Sequence, residues 1–269
     1  MMKEKKLSGT MVSGQSIVLL NTISFPDNYI NVTSGDQTGF EVLQVIKKAS
    51  RFNQWMFETI APFCNGSILE IGSGTGNISS FFVERNYEIT LSDINDAYVN
   101  ILKKQYHNRM NVKGILDIDL QRSGFAERYD AMKEQYDTII LLNVLEHLEN
   151  EDYAISNCSY FLKKGGRLII LVPAYKFLYS QLDKELGHFR RYTRKRLMDC
   201  IIRKGLSPEK GFYFNALGIL AWFYGKIFSL KTIPGTEMSF FNTITPFAKA
   251  IDKILFHKAG LSVICISKK

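Results

Sequence analysis

Cysteine is scarce in this chain, and the few cysteines do not form a pattern. None of them belongs to a C-x-x-C pair, and they are scattered at Cys64, Cys158, Cys200 and Cys265. This spacing excludes a zinc module and a disulfide framework as the basis of the fold. We therefore expect a reducing, cytoplasmic setting.

Long apolar runs are lacking as well. No stretch reaches the roughly 18 unbroken apolar residues of a membrane-spanning helix. The nearest one, FYFNALGILAWFYGKIFSL, is interrupted by Asn215, Gly218, Gly225 and Lys226. The N-terminal segment is too polar and interrupted to predict a secretion signal. We also find no internal repeat and no low-complexity tract.

Acidic residues are outnumbered by basic ones. The 269 residues include 34 Lys and Arg against 26 Asp and Glu, which gives a formal charge of +8. This balance suits nucleic acid, a phosphorylated substrate or an anionic membrane surface, without choosing among them. Because 46% of the residues are hydrophobic, the chain can build one large domain with its own core.

Short apolar runs alternate with helical patterns from residue 67 onward. The intervening segments predict helices, one capped by Asn95 and another ended by Gly165 and Gly166. The alternation predicts an α/β fold, a doubly wound, mostly parallel seven-stranded Rossmann-like sheet. The predicted strands are SILEI, YEITLS, MNVKGIL, YDTIILLN, RLIILV, GFYFNAL and LSVICISKK.

The remaining segments predict the domain organisation. We expect residues 1–38 to form a flexible N-terminal arm and residues 39–269 to form the domain, which opens with a single helix ended by Pro62. Residues 174–206 would form a lid over an acceptor pocket, and residues 217–258 a helical aromatic insert. The aromatic side chains of the insert suit a hydrophobic acceptor, a homodimer interface or a peripheral membrane contact, with ordinary core as the structural alternative.

The stretch ILEIGSGTGN combines a strand, a glycine turn and a helix start. Gly72, Gly74 and Gly76 let the backbone turn sharply and approach a ligand closely. Asp93 ends the next strand, 21 residues after Gly72, where a carboxylate can accept both hydrogens of a ribose diol. The segments DIDL and NVLEHLE follow the third and fourth strands. Since open α/β sheets bind ligands at the carboxyl ends of their strands, we expect these segments to share one site.

As a set, LEIGSGTGN, LSDIN, YDTIILLNVLEHLEN and LKKGGRLIILVPA resemble the motifs of the class I S-adenosylmethionine-dependent methyltransferase family. The resemblance covers about residues 50–175. A later stretch, G-H-x-R-R-Y-T, resembles a bacterial methyltransferase subgroup that often lies near envelope-glycan or lipid functions. The resemblance implies methyl transfer from S-adenosyl-L-methionine, with S-adenosyl-L-homocysteine as product. We expect an oxygen, rather than a nitrogen, of a small-molecule or lipid-like acceptor to receive the methyl group.

The resemblance also implies roles in the glycine turn. Gly72, Ser73, Gly74 and Gly76 would surround the amino-acid part of the cofactor. Glu70 would steady the turn by accepting hydrogen bonds from its backbone N–H groups.

Further residues would hold the nucleoside by the same resemblance. Asp93 would bind the ribose hydroxyls, and Ile94 would lie against the adenine. Asp117 and Ile118 would flank the adenine, and the Asn143 carbonyl would face the methionine ammonium group.

The helix RFNQWMFETIAPF resembles one that closes over the cofactor in related methyltransferases. Asn53 and Trp55 are its candidate cofactor contacts, with plain core as the structural alternative for Trp55.

The acceptor side is predicted from two histidines and a basic segment. Methyl transfer needs an aligned nucleophile and a group that removes its proton. His147 and His188 are the candidate catalytic residues, with a capping or core role as the alternative for His147. Arg190, Arg191 and Tyr192 would bind a phosphate or carboxylate of the acceptor, or would only hold the lid in place.

A metal ion is not expected at this site. Some methyltransferases of ubiquinone synthesis and of small-RNA ends bind a divalent metal with E-x-x-E-H after the fourth strand and a distal histidine. Glu146, His147 and the later His188 match part of this pattern, but Asn143 stands in place of the first glutamate, which removes an anionic ligand for Mg²⁺.

Two other functions stay open. The basic balance suits a nucleic-acid methyltransferase, but NVLE stands where such enzymes carry N-P-P-[YF], and no RNA-binding module is recognisable. The chain would also suit a non-catalytic S-adenosylmethionine-binding module.

Overall fold

The computed structural model describes residues 37–228 and 235–269, with side chains placed in residues 39–228 and 242–269. Residues 1–36 and 229–234 therefore lie outside the described part of the chain. Almost all of the predicted arm, residues 1–38, falls in the first of these ranges. A short part of the predicted insert falls in the second.

One mixed sheet forms the centre of the described structure. The strands within the described residues are β1 Ile68–Ile71, β2 Ile89–Asp93, β3 Val112–Asp117, β4 Tyr136–Leu142, β5 Leu162–Pro173, β6 Ser207–Phe214 and β7 Ser262–Lys268. These seven strands lie in the order β3-β2-β1-β4-β5-β7-β6. All neighbours are parallel except β7, which is antiparallel to both β5 and β6. The predicted mostly parallel seven-stranded sheet is therefore confirmed.

Helices flank the sheet and precede or follow its strands. Short 3-10 helices add to them, among them Leu145–His147 directly after β4. The α-helices are α1 Gln37–Lys47, α2 Ser50–Ile60, α3 Ser79–Glu84, α4 Asp96–Tyr106, α5 Phe125–Arg128, α6 Glu151–Phe161, α7 Gln181–Glu185, α8 Arg194–Arg203, α9 Gly218–Ile227 and α10 Gly235–Ile254.

Two helix boundaries differ from the sequence-based expectation. The single helix predicted before Pro62 is two helices, because the chain leaves helical geometry at Ala49 and restarts at Ser50. The helix that Gly165 and Gly166 were expected to end stops earlier, at Phe161. The two glycines lie inside β5 instead, where the pairing with β4 shifts its register. The predicted cap is confirmed, since the Asn95 side chain accepts a hydrogen bond from the Ala97 N–H.

The central strands are buried on both faces. In β4, Ile139 and Leu141 belong to one apolar cluster and Ile140 to the other. The same alternation holds in β5 and β7, because successive strand residues point to opposite faces. This explains why their sequences read as continuous apolar runs rather than as alternating ones.

The strand order creates a crevice at one edge of the sheet. The chain runs outward from β1 through β2 to β3, and β4 then starts the other half on the opposite side of β1. Ligands of open α/β sheets bind at such a switch point, beside the carboxyl ends of the strands. Three strand exits there adopt a positive φ, at Gly72 after β1, Asn143 after β4 and Tyr175 after β5.

None of the helices within residues 37–228 and 235–269 combines the length and the apolar character that crossing a membrane requires.

Candidate active site

The glycine turn after β1 lies close to the neighbouring strand exit. Gly72 has a φ of +77°, and a Cβ added to it would overlap the side chain of Val144, just beyond β4. The N–H groups of Gly72 and Ser73 both donate to the Ser92 carbonyl, at 2.9 and 2.8 Å. The turn therefore depends on the absence of a side chain at Gly72, and it is tied to the end of β2.

Glu70 is a buried carboxylate beneath this turn. It accepts hydrogen bonds from the hydroxyl of Ser73, at 3.2 Å, and from that of Ser79. Burial raises the pKa of Glu70 to about 7, against the opposing effect of the two serine hydrogen bonds. The expected donors were backbone N–H groups of the turn, and the structure shows serine hydroxyls instead. Glu70 still joins the turn to the first residue of α3.

Asp93 at the end of β2 also binds the turn. Its carboxylate accepts the Gly74 N–H at 2.8 Å and the Asn95 N–H at 2.9 Å. The next side chain, Ile94, is 65% exposed although it is large and apolar. A carboxylate beside an exposed apolar surface is the arrangement that a ribose and a base require.

The residues predicted to contact the adenine and the methionine ammonium group lie in different environments. Asp117 ends β3 with an exposed carboxylate that lies 3.7 Å from Arg128. Ile118 is buried in the apolar core. Asn143 is exposed at the exit of β4, and its N–H donates to the Leu171 carbonyl at 2.8 Å.

Helix α1 contacts the glycine turn, and the predicted cofactor contacts Asn53 and Trp55 lie in α2. A Cβ at Gly74 would lie 3.1 Å from Leu43, and the Asn77 side chain donates to the Leu43 carbonyl at 3.0 Å. Trp55 of α2 is buried against Phe214, with the ring centroids 4.3 Å apart. The structure therefore supports the core alternative for Trp55. Asn53 is likewise buried, and its amide donates to the Ile46 carbonyl across the helix break.

Both predicted histidines meet at the carboxyl ends of β4 and β5. The rings of His147 and His188 contact each other edge to face, with centroids 4.6 Å apart. His147 is exposed, whereas the His188 side chain is almost buried. The surrounding protein lowers the pKa of His147 by desolvation, and the neighbouring His188 adds to this effect.

Asp183 lies behind His188 and is not among the site residues predicted from the sequence. Its Oδ1 is 2.8 Å from His188 Nδ1 and 2.8 Å from Arg191 Nε, and the carboxylate is fully buried. Burial alone would raise the pKa of Asp183, but the hydrogen bonds from His188 and Arg191 outweigh it and lower the pKa to about 2. Asp183 also completes a capping box with Ser180, the one sequence signal that could have drawn attention to it.

The side chains of the basic segment after β5 mostly contact other residues of the same chain. Arg191 is buried, binds Asp183 and lies 4.4 Å above the ring of Trp222. The Tyr192 hydroxyl donates to Glu151 at 2.7 Å, and Arg190 pairs with the same carboxylate at 3.1 Å. These contacts support the alternative that the three residues hold the lid in place. Their binding of an acceptor anion stays a prediction.

Glu146 is the second buried acid at the site. It is completely buried, and burial raises its pKa to about 8. Its backbone carbonyl accepts the Phe189 N–H at 2.8 Å, which joins the segment after β4 to the segment after β5.

Comparison with known proteins finds a family model that matches the part of the chain that contains this site. A family model described as a methyltransferase domain matches residues 69–168, which run from β1 into β5. A probable polyketide synthase 42 of Dictyostelium discoideum is 27% identical over 180 residues, which are 59% of this chain and 7% of that protein. The chain thus spans under a tenth of the length of this relative.

Solved structures of methyltransferases share the fold. Phosphoethanolamine N-methyltransferase 2 of Haemonchus contortus, in complex with S-adenosyl-L-methionine, has a TM-score of 0.56 at 11% identity, over 89% of this chain and 60% of that chain. The CurJ carbon methyltransferase has a TM-score of 0.52 at 13% identity, over 82% of this chain and 53% of that chain.

Residues 69–168 match a methyltransferase domain, and the fold is the Rossmann-like one of S-adenosylmethionine-dependent methyltransferases. The residues present fit the cofactor of this family on three counts. The turn at Gly72 leaves no space for a side chain, the Asp93 carboxylate lies beside it, and the exposed Ile94 follows.

Proposed function

We propose that this domain transfers a methyl group to an oxygen of a small-molecule or lipid-like acceptor, and that His188 takes the proton of that oxygen. The observation that carries the proposal is the 2.8 Å hydrogen bond between His188 Nδ1 and the buried Asp183 carboxylate. This pair lies beside the exposed His147 at the carboxyl ends of β4 and β5.

The glycine-turn side of the crevice would hold the donor. S-adenosyl-L-methionine supplies an already activated methyl group when it is bound. Gly72, Ser73, Gly74 and Gly76 would surround its amino-acid part, with the Asn143 carbonyl toward the ammonium group. The nucleoside would be held by Asp93, Ile94, Asp117 and Ile118. Because the donor is activated, the protein mainly aligns the nucleophile and receives its proton.

The Asp183–His188 pair is suited to receiving a proton. Since the pKa of Asp183 is lowered to about 2, its carboxylate is ionised near neutral pH and accepts the Nδ1–H of His188. Nε2 of His188 is then the proton acceptor, and Asp183 stabilises the imidazolium that forms. The lowered pKa keeps His147 neutral, so it would contact the acceptor by hydrogen bonding rather than as a cation.

An apolar acceptor suits the surface of the lid. Phe177 and Phe189, in the segment after β5, are exposed large apolar side chains. The indole N–H of Trp222, in the aromatic insert, donates to the Leu178 carbonyl at 3.1 Å, which joins the insert to this segment. An acceptor with an apolar body and a hydroxyl at one end would match these groups.

Carbon methylation is the second candidate. It is favoured by the similarity to a polyketide synthase and by the shared fold of a carbon methyltransferase. The same histidine would remove a proton from an acidic carbon next to a carbonyl group, so the two candidates differ in the acceptor rather than in the base.

A labelling screen tests the proposal. The full chain is incubated with S-adenosyl-L-methionine carrying a ¹³C-labelled methyl group and with polar-lipid and small-phenol extracts. We expect one product that has gained a methyl group, and its NMR spectrum assigns the label to oxygen, carbon or nitrogen. An oxygen-linked label supports the proposal, and a carbon-linked label selects the second candidate. Label found only in added RNA, with steep salt dependence, would replace both with a nucleic-acid substrate.

A further inference from the structure

Helix α9 of the aromatic insert turns an apolar face outward. Five large side chains follow the spacing i, i+3, i+4, i+7 and i+8 from Leu220 onward, so they lie along one face of the helix. Each of them is 48–68% exposed. We define these five side chains as the apolar stripe: Leu220, Phe223, Tyr224, Ile227 and Phe228.

The opposite face of α9 is fixed to the domain. The Trp222 indole N–H donates to the Leu178 carbonyl at 3.1 Å, and the Lys226 ammonium group donates to the Phe177 carbonyl. The Trp222 ring also covers the buried Arg191 guanidinium group, 4.4 Å from the ring centroid. The inward contacts of the helix are therefore made by other residues, and the stripe is its outer face. Helices on protein surfaces normally show the reverse, with polar side chains toward water.

The charges near the stripe are basic. Residues 210–236 contain no aspartate or glutamate, whereas Lys210, Lys226 and Lys231 lie among them. Lys176 is exposed in the segment that α9 contacts. Apolar side chains bordered by lysines suit a lipid surface with anionic headgroups, because the apolar groups enter the acyl boundary and the cations contact the headgroups.

A second copy of the chain suits this surface less well. A symmetric dimer brings the same patch of both subunits together, so the lysines of one subunit would lie near those of the other. Residues 210–236 offer no acid to pair with them. Like charges in an apolar interface are unfavourable, because burial removes their solvation. The charge pattern therefore favours an anionic bilayer.

We propose that the apolar stripe docks the protein on an anionic lipid bilayer, with α9 lying along the headgroup region. The stripe would enter the boundary between headgroups and acyl chains to a depth of about 5–10 Å. Lys176 and Lys226 would keep their ammonium groups at the level of the headgroups while their carbon chains lie against the apolar surface.

Docking would bring the acceptor side of the crevice close to the lipid, and this part rests on the proposed function. Arg191 contacts Trp222 of α9 and also binds Asp183, which in turn binds His188. A continuous series of contacts thus connects the docked helix to the proposed proton acceptor. A lipid-like acceptor would present its hydroxyl group to this site while its acyl chain stays in the bilayer.

Vesicle flotation tests the surface without any need for turnover. The full chain, without S-adenosyl-L-methionine or acceptor, is mixed with vesicles of phosphatidylglycerol and phosphatidylcholine, and separately with vesicles of phosphatidylcholine alone. We expect the wild type to bind the anionic vesicles, and to bind the neutral ones at least ~10-fold more weakly. The double variant Leu220→Gln and Ile227→Gln, which changes no charge, should weaken binding by ~10–100-fold. Lys176→Gln should weaken it by about 3–10-fold.

Ile202→Gln is the matched control for the double variant. Ile202 is 55% exposed in the last turn of α8, which leads the chain back to the start of β6, at the edge of the sheet opposite to α9. This variant should bind anionic vesicles like the wild type. Circular dichroism of each variant shows that it is folded. The proposal is overturned if the wild type does not bind anionic vesicles, or if the double variant binds them as tightly as Ile202→Gln does.

Analytical ultracentrifugation without lipid tests the competing occupant. A dimer that the double variant disrupts, in a protein that does not float with anionic vesicles, would assign the stripe to a second copy and overturn the bilayer proposal.

The docking surface and the proposed function can fail separately. Methyl transfer to a soluble acceptor, by a protein that binds no vesicles, would overturn the docking surface and leave the proposed function standing. Vesicle binding that depends on the stripe would support the docking surface even if the labelling screen gave no product.

Discussion

At the residue scale, the candidate site depends on buried acids more than on exposed ones. Asp183 orients His188, and Glu70 holds two serine hydroxyls under the glycine turn. The two carboxyl groups differ in their pKa. Hydrogen bonds from His188 and Arg191 lower the pKa of Asp183. Burial raises the pKa of Glu70, whose two hydrogen-bond donors are neutral serine hydroxyls.

Glu70 should therefore make the stability of the protein depend on pH. The folded state keeps the Glu70 proton up to about pH 7, whereas the unfolded chain loses it near the ordinary pKa of 4.5. Since the folded state then binds more protons, the free energy of unfolding should fall as the pH rises between these two values. The Glu70→Gln variant has no titrating group at this position. Its free energy of unfolding should therefore rise by about 1–3 kcal/mol relative to that of the wild type as the pH rises from about 5 to about 8.

Urea unfolding at a series of pH values measures this difference. Glu84→Gln, which changes an exposed carboxylate at the end of α3, is the control and should keep the wild-type pH dependence. Parallel pH profiles for Glu70→Gln and the wild type would show that Glu70 is ionised in the folded state.

The site residues that the sequence predicted share one property. The glycines, Asp93 and His147 follow strand ends, so the strand pattern places them at one edge of the sheet. Asp183 was missed as a functional acid, because its importance comes from complete burial and from its contacts with His188 and Arg191. No periodicity in the sequence encodes that burial.

At the element scale, the alternation of strands and helices was predictable, but the helix ends were not. Apolar runs revealed the central strands, since both faces of the sheet are covered. The break at Ala49 escaped prediction because the residues around it are compatible with a continuous helix. The Asn53 amide, which donates to the Ile46 carbonyl, stabilises that break through a contact that spacing alone does not show.

The turn after β1 should tolerate no side chain at Gly72. Gly72→Ala would adopt an unfavourable positive φ, which costs about 1–2 kcal/mol, and its Cβ would also overlap Val144. We expect a total loss of about 2–5 kcal/mol in the free energy of unfolding. Binding of S-adenosyl-L-methionine should weaken as well.

Gly205 is the matched control for this change. It has a φ of +75° at the end of α8, and a Cβ there meets nothing within 4 Å. Gly205→Ala should therefore lose only the backbone contribution, about 1–2 kcal/mol. Equal losses for the two variants in urea unfolding would contradict the proposed close contact between the exits of β1 and β4.

At the scale of the whole molecule, the two halves of the crevice carry different side chains. The half built from β1 and β2 carries the glycine turn and Asp93, which suit the methyl donor. The half built from β4 and β5 carries His147 and His188, which suit the acceptor. Changes on the acceptor side should therefore alter turnover and leave donor binding intact.

The rate of methyl transfer by His188→Ala, at saturating S-adenosyl-L-methionine and with the acceptor that the screen identifies, tests the central claim most directly. Loss of the proton acceptor should lower this rate by about 10²–10⁴-fold. Calorimetry should show unchanged affinity for the donor, and His107→Ala should keep the wild-type rate. A wild-type rate in His188→Ala would contradict the account, because the proton of the acceptor would then leave by another route.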